Sequence, residues 1–83
     1  MTNALGYVEE PWFKEIRALC PAEYDIVLKR LGDFYSLCIY EEGWFSHQGN
    51  ATVAITDEKL LAKLRSINGQ YIVDGLPVFY FEH

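Results

Sequence analysis

Eighty-three residues, 51% of them hydrophobic, suffice for one small globular domain over 1–83 and are too apolar and aromatic for a disordered chain. Seven Lys and Arg against 12 Asp and Glu leave a formal charge of −5. That balance disfavours a general nucleic-acid or anionic-membrane binder, which needs a concentrated positive potential.

Residues 1–20 have neither a basic start nor a continuous apolar run, because Glu9, Glu10 and Pro11 interrupt them. A cytoplasmic location without membrane contact is the expectation, with Cys20 and Cys38 as free thiols. Residues 1–10 lack periodicity and read as an N-terminal arm, anchored through Tyr7 and Val8. Pro11 suits the first turn of a helix, with Trp12, Ile16, Leu19 and Cys20 along one face. After Pro21 a second amphipathic helix is expected: Tyr24, Val27, Leu28 and Leu31 fall at i, i+3, i+4 and i+7, and Gly32 is placed to cap it.

From Phe34 the composition changes. Phe34–Tyr40 is rich in aromatic and apolar residues, has no polar helical face, and reads as a strand. Glu42-Gly43 turns the chain into a second strand over 44–48, and Gly49-Asn50 into a third over 51–55. Thr56 caps a helix that opens with Asp57 and Glu58, buries Leu60, Leu61, Leu64 and Ile67, and stops at Asn68-Gly69. Gln70–Val73 and Leu76–Phe81 then flank Asp74-Gly75, a strong hairpin signal. Pro77 lacks an N–H, which assigns its strand to an edge. The expected fold is α+β, in the order ααβββαββ, with a mostly antiparallel five-stranded sheet.

These turns imply a register. One sheet face gathers Tyr35, Leu37, Ile39, Trp44, Val53 and Ile55 and suits a core under the helices. The other gathers Phe34, Ser36, Cys38, Tyr40, Phe45, His47 and Thr52, with Tyr40 opposite Phe45 and Cys38 opposite His47. This second face mixes aromatics with polar groups and lacks Asp, Glu, Lys and Arg. Such a face needs a cover: a helix of the same chain, a partner protein or second copy, or a small ligand. Phe34, Tyr40, Phe45 and His47 are the candidate partner-binding residues.

Other chemistry is sparse. A His beside a Cys can generate a thiolate, but no third residue orients His47. Ser46 and His47 are adjacent and point oppositely in a strand. Cys20, Cys38, His47 and His83 lack zinc-site spacing. Asn50-Ala51-Thr52 matches a glycosylation acceptor and, without a secretion signal, reads as chance. No catalytic residue, metal or cofactor is assigned. The expectation is a non-enzymatic protein-binding module that covers a site on a protein partner or on a second copy of itself. Immunity proteins, antitoxins and phage inhibitors of host defence are its analogues by size and charge. The alternative is a small enzyme or ligand-binding domain using a pocket near Cys38 and His47.

Overall fold

The computed structural model describes residues 4–5, 7–40 and 53–82. In chain order the elements are β1 (Ala4–Leu5), α1 (Pro11–Leu19), β2 (Asp25–Leu31), β3 (Phe34–Tyr40), α2 (Glu58–Ser66), β4 (Ile72–Val73) and β5 (Leu76–Phe79). The class is α+β, and the strands lie in the order β1-β2-β3-β5-β4. Four strands form the body of the sheet, while the two-residue β4 attaches to β5 alone. β1–β2 and β2–β3 are antiparallel, but β3 and β5 run parallel, pairing Tyr35 with Val78 and Ser36 with Phe79. The sheet is therefore mixed, and the expected order ααβββαββ is not the one formed. The parallel join follows from α2, which lies between β3 and β5 in sequence; strands joined through a helical crossover can run in the same direction.

The largest departure is β2. The run expected as a second helix is a strand paired along its whole length, from Asp25 with Tyr40 to Leu31 with Phe34. Its helical stripe is real as a pattern, but Ile26-Val27-Leu28 is continuously apolar, and two of these three residues are β-branched. A strand buries all three, with Ile26 and Leu28 on one face and Val27 on the other. Gly32 opens the two-residue loop at φ +66°. A Cβ there meets nothing within 4 Å, so glycine serves the hairpin dihedral rather than space.

The helices form near their expected places. α1 begins at Pro11 and buries Trp12, Phe13 and Ile16; Leu19, expected in the stripe, is exposed, and Phe13 takes its share of the core. Arg17 ties the exit of α1 to the start of β2, donating to the carbonyls of Pro21 at 2.5 Å and Tyr24 at 2.6 Å. α2 is capped one residue later than expected: Asp57 accepts from the Leu60 N–H at 2.9 Å. Lys63 bridges to Glu15 on α1 at 2.9 Å.

The described part of the expected core face forms, while Trp44 lies outside the described residues. Tyr35, Leu37 and Ile39 join Ile26, Leu28 and Val78 beneath Trp12, Phe13 and Ile16 of α1 and Leu60 and Leu64 of α2. Val53 and Ile55 pack against this core, although 53–57 form no regular element; the Val53 N–H reaches the Ile39 carbonyl at 2.8 Å. Trp12 stacks on Tyr71 at 5.1 Å, and its buried Nε1 finds no acceptor among the described residues. The arm is partly structured: Ala4–Leu5 adds to β2, Val8 is buried, and Tyr7 sets its ring edge-on to Phe13.

The Asp74-Gly75 hairpin forms as expected, with both residues at positive φ. Its strand β5 is not at an edge, however. Position 77 belongs to the pair with Ile72, and pairing with β3 begins only at Val78, so the missing N–H of Pro77 breaks no ladder bond.

Candidate functional site

Strand alternation and the pairing register define a second sheet face. It carries Asp25, Val27, Lys29 and Leu31 from β2; Phe34, Ser36, Cys38 and Tyr40 from β3; Pro77 and Phe79 from β5; and Ile72 from β4, so the face expected to lack charge holds Asp25 and Lys29, both brought there by β2. The expected grouping of Phe34, Ser36, Cys38 and Tyr40 on one face is therefore present in β3. The two ends of that face differ.

One end is buried. Val27, Cys38 and Tyr40 form a separate apolar cluster, and Tyr40 is 0% exposed. The Cys38 thiol lies 3.8 Å from the Ser36 hydroxyl and 3.7 Å from the Ser36 carbonyl. Lys29 extends over the Tyr40 ring, with its Nζ 5.1 Å from the centroid. Burial raises the Tyr40 phenol above its ordinary value, against the opposing pull of Lys29, and hydrogen bonding to Tyr40 raises Lys29. In both cases the folded chain holds the proton more tightly than the unfolded chain does. This contribution to stability is therefore intact below pH 10.0, the ordinary phenol value, and is lost as pH rises through the folded values. Urea unfolding midpoints should fall above that pH. Tyr40→Phe should flatten the fall, and a slope identical to that of the parent chain would remove Tyr40 as its source.

The other end is apolar and half open. Phe34 contacts Phe79 and Phe81 edge-on, at 5.6 and 6.0 Å between centroids, and Phe79 stacks on Phe81 at 6.3 Å. Phe34 and Phe79 are half-buried, while Leu31, Ile72 and Phe81 are 45%, 59% and 49% exposed. A Cβ on Gly69 would lie 3.3 Å from the Phe79 ring, so a bare backbone at Gly69 lets that ring seat closely. Charged residues lie near the ends of the strands that carry the patch. Arg30 and Asp33 lie at the hairpin, where the Arg30 Nε donates to the Gly32 carbonyl at 3.3 Å. Arg65 grips Glu82 with two hydrogen bonds of 2.5 and 3.0 Å, which holds that carboxyl below its usual range.

Of the four candidate partner-binding residues, the structure places Phe34 in the open patch and Tyr40 in the buried cluster. They share a face, but six residues of strand, about 20 Å, separate them. Tyr40 offers no surface to a partner in this fold. Phe45 and His47 lie outside the described residues, as do the Glu42-Gly43 and Gly49-Asn50 turns and the proposed facing of Cys38 by His47. Sequence reasoning did not assign Leu31, Ile72, Phe79 or Phe81 to this surface. Alternation of 77, 79 and 81 and the Asp74-Gly75 hairpin carry part of the signal, but the parallel pairing that sets these residues beside Phe34 leaves no local mark.

Among the described residues no group of three or more His, Cys, Asp or Glu stands close enough to hold a metal. Burial pushes the Cys20 thiol up, away from nucleophilic character. A cleft of about 110 Å³ is lined by Tyr24, Thr56, Asp57 and Leu60, among others, but Asp57 is committed there as the α2 cap. No described helix is long and apolar enough to cross a membrane. No family model matches the chain, and no curated protein or solved structure matches it.

Proposed function

We propose that the chain is a non-enzymatic protein-binding module of inhibitor or immunity type, acting by covering a site on a protein partner. The apolar end of the second sheet face carries this reading. Leu31, Phe34, Ile72, Phe79 and Phe81 give it aromatic and aliphatic surface without charge, the composition found at interface centres. Net charge of −5 adds long-range attraction to a basic protein and disfavours direct contact with nucleic acid. The inhibitor class rests on analogy of size and charge.

The test uses the tagged chain and its Leu31→Ala, Phe81→Ala double variant as baits in the cells that produce it, with calorimetry on whatever is captured. Both side chains are about half exposed, so thermal unfolding should change little. Partner affinity should fall more than tenfold, roughly 1.4 kcal/mol. A partner held equally well by the folded double variant would overturn this surface as the site.

A further inference from the structure

We infer that Arg65, on the helix side of the sheet, is a positioning residue for the apolar surface on the opposite side: its grip on Glu82 seats the Phe81 ring against Phe34 and Phe79. β5 ends at Phe79, and residues 80–82 continue beyond it without regular structure. Their side chains nevertheless alternate as in a strand. Tyr80 is buried in the core, Phe81 joins the aromatic cluster of the other face, and Glu82 returns to meet Arg65 of α2. Phe81 thus lies between two fixed points. Before it, the Tyr80 N–H donates to Asn68 Oδ1 at 2.7 Å, and the Tyr80 ring is buried. After it, the Arg65 guanidinium donates to both oxygens of Glu82, at 2.5 and 3.0 Å.

Phe81 needs the second point. The β3–β5 pairing among the described residues ends at Phe79, so that ladder does not reach it. Its ring is half exposed and meets Phe34 and Phe79 at centroid distances of 6.0 and 6.3 Å, near the long end of the range for ring contacts. A lone exposed ion pair contributes little, but a two-pronged guanidinium–carboxylate pair fixes direction as well as distance. Here it fixes the backbone one residue from the ring. Both partners are about half exposed, which leaves the clasp open to screening by salt. The consequence for binding rests on the reading of this face as a protein-binding surface. A surface whose Phe81 is seated part of the time binds with an affinity reduced by that fraction, so Arg65 acts on the partner through Glu82 from the other side of the sheet.

Nuclear Overhauser contacts between the Phe81 and Phe34 rings in the full chain read the seating directly. Arg65→Glu and Glu82→Arg should each reduce them by about twofold or more. The double exchange should restore them, because the pair re-forms with its charges reversed. Lys63→Ala, which removes the ion pair from α2 to Glu15, should leave them unchanged. Raising salt from about 0.05 M to about 0.5 M should weaken the contacts in the parent chain and not in Arg65→Glu. If circular dichroism shows Arg65→Glu unfolded, Glu82→Gln takes its place. Full ring contacts in the folded single variants, or an exchanged pair that fails to restore them, would overturn the clasp. Calorimetry on the captured partner reads the consequence: folded Arg65→Ala should bind about two- to fivefold more weakly, and affinity equal to that of the parent would overturn the role of Arg65 in binding. A partner that ignores Leu31→Ala, Phe81→Ala removes the binding surface and leaves the clasp to stand or fall on the ring contacts.

Discussion

Tyr40→Ala is expected to cost about 3–5 kcal/mol of stability, the range for truncating a large buried aromatic. The ring is 0% exposed, packs with Val27 and Cys38, and lies beneath the Lys29 ammonium. Denaturant unfolding measures the loss, and a cost below about 1 kcal/mol would mean that the ring is not held in the core. The expected Glu42-Gly43 turn sets Tyr40 opposite Phe45 on an open patch, where truncation would spare the fold and weaken association. Complete burial of Tyr40 reverses that expectation. The residues whose truncation should spare the fold are Leu31 and Phe81, at the other end of the same face.

Leu28→Ala is expected to cost about 2–5 kcal/mol, with Leu64→Ala in the same range. Both side chains are 0% exposed in the core between the sheet and the helices. Leu28 was legible as a core residue from its pattern, although the element that carries it was not. The strand makes a further distinction along its length: Arg30 follows Leu28 on the same side of β2 but lies at the exposed end of the strand, while Val27 on the other side is buried in the second cluster. Arg30→Ala should therefore stay within about 0.5 kcal/mol of the parent. A Leu28→Ala loss below about 0.5 kcal/mol would remove this residue from the core.

Much of the site logic depends on one interior strand. β3 is bordered by β2 and β5, so each of its faces is shared with two neighbours. The face bearing Tyr35, Leu37 and Ile39 was readable because its residues are uniformly large, largely apolar and spaced by two. The face bearing Phe34, Ser36, Cys38 and Tyr40 was readable as a set, but not as two ends with different fates. Which end is open depends on what lies beside it. Phe79, at the end of β5, and Phe81, just beyond it, come to Phe34 from more than forty positions later in the chain.

Composition and short-range pattern by themselves determined the α+β class, the start of α1 at Pro11, the body of α2 with its acidic first turn, the Asp74-Gly75 hairpin and the core side of β3. Each of these is encoded within a few residues, through a proline, a cap, a positive-φ turn or a period of two. Tertiary structure alone decided that 25–31 is a strand. A run that fits both periods is settled by where its side chains can be buried, and pairing with β3 buries Ile26, Val27 and Leu28 together. It alone decided the parallel β3–β5 join, which needs the α2 crossover to bring distant segments side by side. That join creates the apolar patch: without it Phe34, Phe79 and Phe81 are aromatics far apart in sequence, and with it they form one surface.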